Sequence, residues 1–428
     1  MAKSEKFSLK VLIDDKRNKV VFAEADQDFV DVLFSLLTLP MGKIVRLLEN
    51  HKSLKTDVLG CFKNLHRSVA DMGNDHFETN AWKSMLLHPI SNKEFHCRNL
   101  KLNMSHADPN KMFTCPRYTC SSRAYSNFNT TRCTCGCLMS NQNCSPDVIP
   151  CNAYGVFVNC RSSFIVTDDL KVSENSIGVI MKVLNDLGYT GYSGLREVLL
   201  DVGYEEVLTL LGCLFTSEVP LTCAFLRKHC TTRMHKMLSP PALKSGDVVD
   251  AARACSVKVF VRKLDREVLY AECNEDLLDS LLSFLVLPLE LACSLSNDNT
   301  ILGCVGNLCR SPCRGGASKS WHLPDYYICS NNNLLDHLRK SYSICGTGFM
   351  QKKTKFVVSN DLIITPMSSS STIGLLKKMQ VDISDLEEYQ ISISKAELIS
   401  ILRASLISSS ALTNGLSSLL VKKPKQET

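Results

Sequence analysis

The sequence predicts an α+β protein of two homologous tandem domains, each a β-hairpin plus helices and a further strand, with a Cys-rich loop insertion in the first. Three observations lead there. The stretch LKVLIDDKRNKVVFAEADQDFVDVLFSLLTLP (Leu9 to Pro40) returns without a gap as VKVFVRKLDREVLYAECNEDLLDSLLSFLVLP (Val257 to Pro288). The matches include polar positions, Glu24 with Glu272, Asp28 with Asp276, Asp31 with Asp279 and Ser35 with Ser283, which a shared apolar period alone would not require. The chain has 428 residues, more than a single ordinary core accommodates.

Within each copy, Val11, Ile13, Val20 and Phe22 supply β-branched and aromatic residues for two strands, and the charged run Asp14 to Lys19 connects them. Asp26 and Asn274 are N-cap acceptors, and Asp28 suits the positive end of the helix dipole. Phe29, Leu33, Leu36 and Leu37 recur at helical spacing and would cover the hairpin. Pro40 with Gly42 ends or kinks that helix. Read as caps and dipole partners, Glu24, Asp28 and Asp31 need no acid/base or Mg²⁺ role, since no His or phosphate loop accompanies them.

Further along, LGCFKNLHRS (Leu59 to Ser68) returns as LGCVGNLCRS (Leu302 to Ser311), and Gly60 and Gly303 mark a turn entering a short helix. FIVTDDL (Phe164 to Leu170) matches FVVSNDL (Phe356 to Leu362) as a buried strand running into a turn, and a last helix matches from Glu206 to Thr222 and from Glu397 to Thr413. CGTGFM (Cys345 to Met350) aligns with CGCLM (Cys135 to Met139). The boundaries that follow are 1–226 for the first domain, with its insertion at about 79–160, 227–255 for a linker around Ser239-Pro240-Pro241, and 256–428 for the second.

Composition bounds the function. The formal charge of +6 is moderate, and hydrophobic content is that of a folded chain. The start, MAKSEKFSLK, has no apolar core of a secretory signal, so the expected location is cytoplasmic or nuclear and not secreted. The longest apolar run, Val207 to Leu226, is broken by Glu218 and Pro220, and no membrane span is expected. Although the insertion is basic, aromatics are sparse and no finger or RNA-binding signature occurs, which argues against nucleic acid and leaves a protein partner as the expectation.

Two patterns carry chemistry. Of 21 cysteines, six (Cys115, Cys120, Cys133, Cys135, Cys137 and Cys144) crowd into one short stretch of the insertion. In a reducing compartment these are either unliganded thiols or structural Zn²⁺ ligands. The set best placed to hold the ion is Cys115, Cys120, Cys133 and Cys135.

CVGNLCRS (Cys304 to Ser311) resembles the C-x5-R-[ST] loop of low-molecular-weight protein tyrosine phosphatases. That resemblance implies a Cys304 nucleophile, Arg310 on the phosphate and Ser311 assisting the thiolate. Cys61 to Ser68 fits the bare pattern too. Only Thr300-Ile301-Leu302 precedes Cys304, a poor buried strand, and no Asp-Pro general acid lies downstream, so a shared structural turn competes with the enzyme reading.

Taken in order, VLIDDKRNKVVFAE, LTLP, G-C-x2-N-L, F-T-C-P-x2-T-C and C-x-C-G-C-L-M resemble a land-plant family catalogued as a domain of unknown function, numbered six-seven-four. The resemblance implies a plant source and a duplicated domain. It brings no activity, substrate or site residues, and the expectation is a non-enzymatic binding or structural module.

Overall fold

A computed structural model describes residues 6–51, 59–90, 100–104, 163–226, 255–295, 303–311, 348–368 and 382–420, with shorter pieces between 97 and 158 and between 373 and 377. The fold is α+β, built on two five-stranded antiparallel sheets.

The first half opens with the expected hairpin, β1 (Phe7–Asp14) and β2 (Lys19–Ala25), whose inward residues Phe7, Leu9, Val11, Ile13, Val20 and Ala23 are buried. Helix α1 (Gln27–Leu37) starts where Asp26 accepts the Phe29 N–H at 2.9 Å. Pro40 then sits as N-cap of α2 (Met41–Glu49). Leu59, at φ 58°, leads into α3 (Gly60–Asp71), followed by α4 (Asn80–Leu87).

The described part of the insertion holds a small three-stranded sheet of β3 (Met112–Thr114), β4 (Tyr125–Ser126) and β5 (Asn141–Asn143). Then come β6 (Phe164–Thr167), β7 (Val172–Glu174), α5 (Ile177–Asp186), β8 (Leu195–Val202), α6 (Tyr204–Thr216) and α7 (Pro220–Phe225).

The second half repeats the order with β9 (Cys255–Arg262), β10 (Val268–Asn274), α8 (Glu275–Leu282), α9 (Leu289–Leu295) and α10 (Cys304–Arg310). It continues through β11 (Lys355–Ser359), β12 (Ile364–Pro366), β13 (Leu386–Ile393), α11 (Lys395–Ile407) and α12 (Ala411–Gly415).

Strand order is β7-β6-β2-β1-β8 in one sheet and β12-β11-β10-β9-β13 in the other. Both hairpins carry a register shift, at Leu12/Ile13 and between Val268 and Tyr270. Each of the two large sheets therefore holds five strands where a hairpin plus one strand was expected. The additions are short β7 and β12, and edge strands β8 and β13 lying along β1 and β9. The single last helix is in fact two, broken at Ser217 and at Ser408. Strand β9 begins at Cys255, which the sequence reading left in the linker; 227–254 lie outside the described residues.

One apolar core runs through both halves, joining Phe29, Phe34, Leu65 and Leu211 to Leu278, Phe284, Leu308 and Leu402. A short antiparallel bridge between Pro40 and Pro288 joins the halves. Proline lacks an N–H, so the residues after each make the bonds: Met41 N–H donates to Leu287 O and Leu289 N–H to Leu39 O, both at 2.9 Å.

Candidate functional site

The C-x5-R-S stretches lie in α3 and α10, and each helix docks on the opposite half. From α3, Asn64 Nδ2 donates to Asp361 O at 2.9 Å and to its Oδ2 at 3.0 Å. Ser68 Oγ accepts the Ile364 N–H at 2.9 Å, and Cys61 Sγ donates to Ser408 O at 3.2 Å. From α10, Asn307 Nδ2 donates to Asp169 O at 2.9 Å and to its Oδ2 at 3.1 Å. Ser311 Oγ accepts the Val172 N–H at 3.0 Å, and Cys304 Sγ donates to Ser217 O at 3.4 Å. Four bonds made by three residue types recur in both directions.

The receiving turns are shaped for this contact. Thr167 Oγ1 accepts the Lys171 N–H and Ser359 Oγ the Ile363 N–H, while Leu170 and Leu362 adopt φ of 62° and 63°. A left-handed Leu costs about 1 kcal/mol or more, and burial of both side chains in the core holds it there. The turn thereby presents one carbonyl and one carboxylate, of Asp169 or Asp361, to the docking asparagine.

For the phosphatase set, residues 304–310 form a helix and not a loop wrapped around an anion. Cys304 is 3% exposed, Ser311 is buried, and Arg310 reaches back to Asn307 Oδ1 at 2.9 Å on its own helix. The thiol, hydroxyl and guanidinium bond to three different partners and do not converge on one space.

Of the four expected zinc ligands, Cys115 and Cys135 meet, with sulfurs 3.5 Å apart beside the small β3–β5 sheet. Cys120 and Cys133 lie outside the described residues. Two sulfurs at tetrahedral positions on zinc, each about 2.3 Å from the ion, stand about 3.8 Å apart, so this pair has nearly the spacing the metal needs. Among the described residues no group of three or more His, Cys, Asp or Glu is placed to hold a metal ion.

Buried carboxylates are what sequence reasoning missed. Asp31, read as a helix-dipole partner, accepts the N–H groups of Val156, Phe157 and Val158 at 2.7, 2.8 and 3.0 Å. Its counterpart Asp279 accepts those of Phe349 and Met350 at 2.9 and 3.0 Å. This shared role makes Phe349-Met350 the equivalent of Phe157-Val158, and not of the Leu138-Met139 pair that the sequence alignment chose. A Cβ at Gly348 would fall 1.6 Å from Asp279 Oδ2, so glycine is required there. Burial raises the pKa of both carboxyls above the usual carboxylate range, Asp279 to about 8. An aspartate recurring at one position of two apolar helices was the available signal.

A second pair closes the base of each sheet. Asp168 accepts the Thr222 N–H at 2.9 Å and its hydroxyl at 2.7 Å, with Lys19 Nζ 3.9 Å away. Burial pushes its pKa up to about 6, while the Thr222 bonds and Lys19 pull down. In the second half, Asn360 Oδ1 accepts the Thr413 N–H at 3.0 Å and its Nδ2 donates to Glu267 Oε1 at 3.1 Å. Thr222 and Thr413 each accept the N–H that opens the second hairpin strand, of Val20 and Val268.

An open groove beside these elements, about 380 Å³, is lined by Ser8, Lys10, Glu24, Asp26, Gln27, Asp28 and Ser163. Among its polar groups, Asp26 caps Phe29 N and Glu24 pairs with Asn175 and Lys10. Among the described residues no helix is long and apolar enough to cross a membrane. No curated protein and no solved structure matches the chain. One family model does, over residues 3–346 and again over 337–396. The chain thus belongs to the family described as "Protein of unknown function (DUF674)".

Proposed function

We propose that this protein is a duplicated, non-catalytic binding or structural module of a plant cell, cytoplasmic or nuclear, that carries a structural Zn²⁺ in the insertion of its first domain and serves a protein partner. The observation that carries this reading is the reciprocal docking of α3 and α10. The strongest nucleophile candidate in the chain spends its thiol, amide and hydroxyl on fastening one half to the other, and the matching residues of the first half do the same. Identical strand order and paired contacts in both halves support descent from one duplicated unit.

The zinc reading is supported by the Cys115–Cys135 spacing and by the short strands around it. A segment with so little core of its own gains order from a metal, because binding energy there is folding energy. Cys120 and Cys133 would complete the four soft ligands of a closed structural site.

Metal analysis of the purified full chain tests it. One equivalent of zinc is expected, falling to background when Cys115 and Cys135 are both changed to Ser. Zinc-free protein with an unchanged fold would overturn the metal reading. A phosphate-ester assay comparing the natural chain with Cys304→Ser addresses catalysis separately, and turnover that vanishes in that variant would overturn the non-catalytic reading.

A further inference from the structure

The two halves differ in one pair of chemically reactive positions. Helices α9 and α10 pack against each other, and across their contact the Cys293 and Cys309 thiols are hydrogen-bonded. The equivalent residues of α2 and α3 are Val45, buried in the core, and His66, whose Nε2 lies 3.2 Å from Leu87 O. Both thiols are thus particular to the second half, at two places that touch. Cys293 is 1% exposed, whereas Cys309 sits at the core's rim, partly accessible.

We propose that Cys293 and Cys309 are a peroxide-responsive pair that closes to a reversible disulfide and pins the docking helix α10 to α9. The accessible Cys309 sulfur attacks hydrogen peroxide, breaking the O–O bond to give a sulfenic acid and one water. Cys293 sulfur then attacks the sulfenic sulfur, and a second water leaves with the remaining oxygen. Two thiols are oxidised and one peroxide is reduced. Hydrogen-bonded sulfurs need only a modest closure to reach a disulfide length of about 2 Å. The bond to Cys309, with burial, holds the Cys293 thiol well above its ordinary range, so its proton leaves only as Cys293 attacks, passing to the departing hydroxide to form the second water. Because α10 also carries Asn307 and leads into Ser311, the crosslink ties the residues that grip the first sheet to the second half's own core. This inference is independent of the zinc reading.

Peptide mapping of the full chain after peroxide treatment tests it. Cleavage before Asp298 and after Arg310 separates the two cysteines. The expected product is a Cys293–Cys309 crosslinked pair, released by dithiothreitol, kept in Cys304→Ser and absent in Cys293→Val, which restores the first-half residue. A crosslink closing a loop of about 15 residues lowers the unfolding constant of its segment roughly 100-fold, so protection from unfolding should rise in the oxidised natural chain and stay flat in the Val variant. A wild-type map with Cys293 still a free thiol while Cys309 has gone to sulfinic acid, or with Cys293 joined to Cys304, would overturn the proposal.

Discussion

Asp168 beside the first sheet and Asn360 beside the second occupy matching corners, receive the N–H of matching threonines, Thr222 and Thr413, and stand beside matching strand starts. One is a carboxylate facing Lys19, the other an amide facing Glu267. The hydrogen-bond frame is preserved while the charge moves from the turn to the strand end. That difference shows what the corner requires: an acceptor for the threonine and a complementary neighbour, with no fixed ionisation state. The first half pays for its choice by burying a carboxylate that the second half avoids.

The threonines separate the two corners most sharply. Thr222→Val leaves the Asp168 carboxylate short of a donor and the Val20 N–H without an acceptor. Thr413→Val orphans only the Val268 N–H. At roughly 1–3 kcal/mol per buried unsatisfied group, chemical denaturation should show about 4 kcal/mol lost for the first and about 1–2 kcal/mol for the second. Equal losses would mean that the carboxylate has another donor.

A titration sharpens the same contrast. The Asp168 pKa of about 6 in the folded chain lies above the ordinary 3.8, so the folded state holds this proton more tightly than the unfolded chain does. Its contribution to stability is full below about pH 4 and declines as pH rises towards about 6, by about 3 kcal/mol in all. Asp168→Asn, which imports the second-half residue, should remove that decline. The difference between urea midpoints of the two proteins at pH 4 and pH 7 measures it. Asp279, with a pKa of about 8, continues the fall to higher pH in both proteins and cancels in the difference.

The hairpins, the first helix of each copy and the Phe164 and Phe356 strands were legible because their apolar periods are local and recur. Strands β8 and β13 were not. Each is the outer strand of its sheet among the described residues, and sequences such as LREVLLDV leave Leu199 66% exposed, so the inside-outside alternation is blurred. Reciprocal docking was hidden for another reason. Asn64 and Asp361 are almost 300 residues apart, and nothing local in G-C-x2-N-L says which turn its asparagine will reach. The zinc candidates were legible as a cluster, yet spacing alone could not say which sulfurs meet; geometry brings Cys115 to Cys135.

Where the two halves agree in geometry, they should agree in energy. Asn64→Ala and Asn307→Ala each delete two hydrogen bonds to the facing turn, and each should cost about 2 kcal/mol. A thermal unfolding comparison that finds one costly and the other neutral would break the correspondence. Arg310→Ala gives the smallest effect, under about 0.5 kcal/mol, because among the described residues its exposed side chain bonds within its own helix.

The central claim is that each half is completed by a helix of the other. A protease site placed in the 227–254 connection tests it directly: after complete cleavage, the two fragments are expected to elute together at the mass of the intact chain and to separate only on denaturation. Fragments that part under native conditions, each keeping its own folded sheet, would contradict the claim.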